Sequence, residues 1–184
     1  SVKIFSICKQ INRTLTQSQK VVVLMRLYEL VNADKRFTLQ RMNIINTVSE
    51  VFRILPEEFK SIERFIKHDS NKDPGDSSIL MIRHQTRCAD CEEEKDQLSA
   101  LPDPIFVLRV SSVDLYFIKH YSENQLFLNG LPLDSGKIYT IAKGSSLRYQ
   151  HGQPVYYSDI SSHFLSRKEF DKISLVAENV TFKF

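Results

Sequence analysis

His84, Cys88 and Cys91 bring one imidazole and two thiols within eight positions, the donor types that zinc prefers. Structural zinc takes four ligands as a rule, no second Cys pair follows, and the remaining cysteine, Cys8, falls in an apolar helical stripe. With Asp90 and Glu92 to Glu94 alongside, the pair reads sooner as exposed thiols in an acidic loop than as a zinc site. A second motif, Gly130 to Gly136-Lys137-Ile138, imitates a phosphate-binding loop, which needs Gly, four residues, Gly, Lys and then Ser or Thr. Here five residues separate the glycines and Ile138 has no hydroxyl for magnesium, so a turn between strands is expected and no ATP site. Ser145, Ser146, Asp159 and His163 have the residue types of a hydrolase, yet nothing resembles a Gly-x-Ser-x-Gly elbow. Ser145, Ser146 and Arg148 are also candidate phosphate ligands, with Arg148 a lone cation where phosphate recognition uses several converging donors.

The elements that carry these residues differ between the two halves. Ile4, Ile7 or Cys8, Ile11 and Leu15 form one apolar stripe of helical period. Thr16 and Gln19 have capping-box spacing and open a second helix, whose run from Val21 to Val31 is apolar on most faces and marks it as central. Met42, Ile45, Val48, Phe52 and Leu55 predict a third helix. Pro56, followed by Glu57 and Glu58, starts a fourth carrying Phe59, Ile62 and Ile66, with proline at the first position and acids where the helix dipole favours them. Four helices with short connections predict a bundle.

From Ser78 the period moves towards two. Ile79 to Ile82 and Ile105 to Val110 are apolar runs, residues 113–118 alternate, and Leu126 to Leu128 leads into Asn129-Gly130, a strong hairpin signal. Ile138, Thr140, Leu147 and Val155 to Tyr157 continue the pattern, and short strands punctuated by glycine predict a small β-sandwich or barrel. The fold class expected is therefore α+β.

Charge follows the same division. Basic residues outnumber acidic ones 12 to 7 over residues 1–70, the ratio is 4 to 7 over 71–100, and it is 9 to 8 over 101–184, within a total of +3. The acidic middle, with Asp73-Pro74-Gly75-Asp76 and Leu101-Pro102-Asp103-Pro104, reads as linker. Lys and Arg are scattered over all the helices without a recognition-helix or aromatic-basic motif, so no nucleic-acid partner is expected. Three cysteines in 184 residues make no disulfide framework, and no apolar run approaches the roughly 20 residues of a membrane span. A cytoplasmic setting is expected.

Three stretches resemble known families. The string "LYELVNADKRFTLQRMNIINTVSEVFRILPEEF" resembles the tellurite-resistance protein B (TerB) helical domain, where acids at an "ADG" turn are thought to hold a divalent cation. Ala33-Asp34 matches that turn, making Asp34 a metal candidate by resemblance, while Lys35 replaces the glycine and Gln40-Arg41 the expected glutamate. The string "LFLNGLPLDSGKIYTIAKGSSLR" is similar to the distal half of a forkhead-associated (FHA) domain. Of the phosphothreonine-reading loops of that family only Asn129-Gly130 is present, so a degenerate FHA-like module is implied. The last residues, Ile173 to Phe184 (ISLVAENVTFKF), alternate at strand spacing and resemble the first strand of an ABC-type ATPase domain.

The order of these resemblances implies the cytosolic N-terminal region of a bacterial ABC-transporter ATP-binding protein. Residues 1–70 would be a four-to-five-helix TerB-like bundle, 71–104 a polar linker with a short strand or helix, and 105–165 a small antiparallel FHA-like sandwich. Residues 166–184 would lead into the ATPase domain. The reading implies a non-catalytic regulatory or interaction region with no cofactor of its own, ATP and magnesium belonging to the missing ATPase domain. Its partners would be that domain, a transmembrane permease segment and an unknown protein, at the inner face of the cell membrane. The alternatives are a phosphopeptide-binding FHA-like signalling module and a TerB-type metal or stress-response domain.

Overall fold

The structure, a computed structural model, describes residues 2–33, 39–83, 104–149 and 153–166. Among these the fold is α+β, with five helices and two antiparallel sheets of four strands each. Four helices come first: α1 (Val2–Thr14), α2 (Gln17–Ala33), α3 (Leu39–Val51) and α4 (Pro56–Lys67). The capping box at the start of α2 forms as the spacing predicts. The Thr16 backbone N–H donates to Gln19 Oε1 at 2.9 Å, and the Gln19 N–H donates to Thr16 Oγ1 at 3.3 Å. Pro56 begins α4, and the sequence stripes of α2, α3 and α4 point inward through Val21, Leu24, Met25, Tyr28, Ile45, Val48, Phe52, Ile62, Phe65 and Ile66. Two stripe positions differ: Ile7 and Leu55 are each 55% exposed, Leu55 because it is the extended residue ahead of α4.

The first sheet has the order β1-β2-β3-β6, from Ile79–Ile82, Ile105–Val110, Leu115–His120 and Tyr139–Ile141. The second has the order β5-β4-β7-β8, from Leu131–Leu133, Leu126–Leu128, Ser146–Tyr149 and Val155–Tyr156. Asn129 (φ 52°) and Gly130 (φ 83°) make the two-residue turn between β4 and β5, in the left-handed conformations that such a hairpin requires. Tyr157, expected to extend a strand, instead opens a helix α5 (Tyr157–Ser166). Asp159 Oδ2 accepts the Tyr156 N–H at 3.0 Å as that helix begins, and Ile160 and Phe164, one turn apart, bury its inner side.

Alternation in the first sheet decides how the layers stack. Ile79, Phe106, Leu108, Val110 and Phe117 share one apolar core with the helices, whereas Leu80, Ile82, Ile105, Val107, Tyr116 and Ile118 face a second core. That second core is completed by Leu126, Leu133, Leu147, Tyr149 and Val155 from the other sheet and by Ile160 and Phe164 from α5. The first sheet is thus buried on both faces, between a helical layer and a second sheet. This explains why β1 and β2 are continuous apolar runs rather than alternating ones. β1 lies inside the 71–104 span and pairs with β2 in the register Ile79↔Leu108 to Ile82↔Ile105.

Polar contacts reinforce the shared core. Glu29 on α2 accepts the Ile138 N–H at 3.0 Å while Arg26 donates to the Ile138 carbonyl at 2.6 Å. Near the start of α4, Glu58 accepts both the backbone N–H and the hydroxyl of Ser112, each at 2.7 Å, tying the helix to the β2–β3 turn.

Because Phe117 belongs to a core made jointly by helices and sheet, Phe117→Ala should lower stability by about 3–5 kcal/mol. Thermal unfolding followed by far-ultraviolet dichroism and by tyrosine fluorescence should stay coincident in the variant and the parent. Two separated transitions in the parent would show that the shared core does not couple the layers.

Candidate functional site

The end of α4 poses a problem that any buried helix terminus poses: its last carbonyls have no partner within the helix. Lys119, on β3, supplies the donors. By alternation it faces the helical layer in line with Leu115 and Phe117, where an apolar residue is the ordinary choice, and it is 2% exposed. Its ammonium donates to the carbonyls of Phe65, of Ile66 at 3.3 Å and of His68 at 2.6 Å, three acceptors for three N–H bonds. The Phe65 and Tyr121 rings flank it, 4.9 and 5.4 Å from the nitrogen to the ring centres. The Tyr121 hydroxyl donates to the same His68 carbonyl. A cation at the negative end of the helix dipole is well placed.

Burial nevertheless pulls the Lys119 ammonium from 10.5 down to about 7, with Asp69 and Glu29 acting the other way. Burial, followed by the Lys119 charge, also lowers His68, and backbone hydrogen bonds at Ser70 and Lys72 and the charge of Asp69 oppose the change. The His68 ring stands edge-on to Phe106 at 4.6 Å, and its Nε2 is buried without a hydrogen-bond partner among the described residues. His68 is therefore a neutral wall at neutral pH.

On the outer side of the same helix lies an open groove of about 480 Å³, lined by Lys60, Glu63, Arg64, Lys67, His68 and Pro74. Lys60, Arg64 and Lys67 recur at i, i+4 and i+7, which places them on one helical face. The opposite wall is a loop held by Asp76, whose side chain is 9% exposed and pairs with Arg64 at 2.8 Å. Asp76 also accepts the Ser61 hydroxyl at 2.9 Å and the Ser78 N–H at 2.9 Å. Glu63 bonds Lys67 at 2.6 Å and the Tyr28 hydroxyl at 2.8 Å. Burial opposes ionisation of Glu63, but the Lys67 and Tyr28 bonds and the Lys67 charge prevail and lower it. No ion pair involves Lys60 among the described residues.

The residues singled out in the sequence lie elsewhere. Ser145 is buried, and its Oγ accepts from Asn129 Nδ2 and from the Ala142 N–H, both at 3.3 Å. The Ser146 N–H donates to Asn129 Oδ1 at 2.9 Å, and Asn129 N–H returns to the Ser146 carbonyl at 2.9 Å. Both serines thus brace the Asn129-Gly130 turn, whereas Arg148, on β7 opposite Phe127, is exposed. Lys137 pairs with Asp134 at 2.6 Å within the loop before β6, and Gly136 (φ 76°) makes the bend. Asp159 serves α5. Asp34, His84, Cys88 and Cys91 lie outside the described residues, as does the 173–184 stretch; among the described residues no group of three His, Cys, Asp or Glu side chains has metal-binding geometry.

The α4 groove was not foreseen from sequence, although Lys60, Arg64 and Lys67 at helical spacing carry its signal. Lys119 had one too, a lysine following the apolar run Leu115 to Ile118 on the same strand. Comparison with known proteins returns no match: no family model, no curated sequence and no solved structure.

Since the unfolded chain holds the Lys119 proton up to 10.5 and the folded one only to about 7, stability should rise with pH between those values. The slope is at most about 1.4 kcal/mol per pH unit. Lowered His68 adds a loss of the same sign as pH falls below 6.5. Urea midpoints at pH 7, 8 and 9, below the tyrosine range, should increase in the parent and be nearly flat in Lys119→Met. Equal slopes would remove Lys119 as the cause.

Proposed function

We propose that this chain is a non-catalytic interaction region, and that its setting is the one implied by its sequence resemblances, ahead of the ATPase domain of a bacterial ABC-transporter ATP-binding protein. The observation that carries the interaction reading is the placement of the polar groups. Ser145, Ser146, Lys137 and Asp159 are engaged in turns and caps. The α4 groove instead presents exposed cations on a concave surface. Rigid support favours docking, because α4 is tied to the sheet near its start by Glu58 and at its end by Lys119.

In this reading ATP and magnesium are bound by the following domain, transport is the work of a permease segment, and the chain sits at the inner face of the membrane. The resemblance of Ile173 to Phe184 to an ABC first strand supports it. A phosphopeptide-binding role is the second reading, favoured by the cationic groove rather than by the FHA-like turn.

Calorimetry of this chain with magnesium and ATP should give no saturable heat. Extending it through the natural reading frame should bring in a Gly-x-x-x-x-Gly-Lys-Ser or Thr motif and magnesium-dependent hydrolysis. Micromolar ATP binding abolished by Lys137→Ala would overturn the reading of this chain as lacking a nucleotide site, and a reading frame without that motif would overturn the ABC setting.

A further inference from the structure

We propose that the α4 groove binds a phosphoryl group carried by a partner protein, with Lys60, Arg64 and Lys67 as its ligands. The inference rests on the interaction reading above and names the chemistry of its partner. Three cations on one helical face border a single concavity, and phosphate recognition by side chains depends on such convergence. The acids nearby do not cancel them. Asp76 is mostly buried and already accepts from Ser61, Arg64 and the Ser78 N–H, so it acts as a brace that orients Arg64. Arg64 contacts it through Nη1, which leaves the other edge of a guanidinium that is half exposed. Glu63 is held by Tyr28 and Lys67, leaving Lys60 without an internal counter-ion among the described residues.

Charge and shape select the ligand. With Arg64 paired to Asp76 and Lys67 to Glu63, the face has a net charge of about one. A phosphomonoester is favoured over a carboxylate because its three acceptor oxygens can reach donors of more than one cation at once. Nucleic acid demands a continuous basic track, and here Glu63 stands between Lys60 and Lys67 while Asp69 and Asp73 lie in the loop that follows the helix. A bilayer surface would have to reach cations set in a concave site beside those same carboxylates. A phosphorylated side chain on an extended segment enters such a groove end-on. His68 lines the site without adding charge at neutral pH, because burial and Lys119 keep it deprotonated.

The experiment uses the whole chain and fluorescently labelled degenerate peptides fixed only at a central phosphothreonine or phosphoserine, with unphosphorylated peptides, inorganic phosphate and phosphoinositide vesicles as separate arms. Phosphorylated peptides should bind at least about tenfold more tightly than their unphosphorylated forms, and Lys60→Gln with Lys67→Gln should remove that difference. Arg148→Ala, on the outer face of the second sheet, should leave it unchanged. Circular dichroism of each variant separates lost binding from lost folding, and Arg64→Lys provides a milder change expected to weaken phosphopeptide binding without unfolding. Indifference to phosphorylation, loss on Arg148→Ala but not on the double substitution, or preference for the vesicles would overturn the proposal. Binding of inorganic phosphate with no peptide preference would overturn the protein as its source. None of these results bears on ATP hydrolysis by the extended protein, so failure here and failure of the ABC setting are distinguishable.

Discussion

A lysine amine buried at the end of a helix is the constraint around which this structure is arranged. The Lys119 ammonium is 2% exposed, and removing such a charge from water is unfavourable unless its hydrogen bonds are replaced. The carbonyls ending α4 face the converse difficulty, since they are acceptors without intrahelical donors. Placing one in contact with the other resolves both, and fixes where α4 ends relative to β3. No apolar residue at position 119 would supply donors, so a lysine stands in a strand whose neighbours Phe117 and Ile118 are fully buried. Tyr121 shares the His68 carbonyl, and Phe65 gives the cation a ring face.

With α4 anchored in this way, the helical layer and the first sheet have one core rather than two. Phe106, Leu108 and Phe117 project among Tyr28, Phe65 and Ile66, while alternate residues on the same strands serve the second core. A sheet covered on both faces needs strands that are apolar on both sides, which is visible in ILMI and in IFVL at the start of β2. The change of period near Ser78 marks a change of element type, and across it the packing is continuous. The order of segments along the chain says where one kind of structure ends; only packing says whether the two kinds are joined.

Local signals were legible in the sequence and spatial ones were not. Thr16 with Gln19, Pro56 with its following acids, and Asn129-Gly130 each act over a few residues, and each forms the contact or turn its chemistry dictates. α5 was missed because its apolar content is slight: Ile160 and Phe164 are a single i, i+4 pair, preceded by Val155 to Tyr157, which favour strands. Ser145 and Ser146 looked available for phosphate because sequence does not reveal that Asn129, sixteen and seventeen positions earlier, turns back to meet them.

The groove shows most clearly why a site can be invisible in one dimension. Its three cations are readable on α4, but charged residues at such spacing are the ordinary outer face of a helix in water. What makes them different is the loop opposite, where Asp76 fixes Arg64 and Pro74 closes the wall. That loop in turn is set by β1, which begins beside Asp76 through the Ile79 N–H bond to the Asp76 carbonyl at 2.9 Å. β1 is held by the core it shares with α4. The inner face of α4 is thus buried against the sheet, its end is capped by Lys119, and its outer face is left as the floor of a concavity whose wall the same sheet positions. Rigid presentation of convergent charge is a consequence of the packing, and a solitary helix of identical sequence would not provide it.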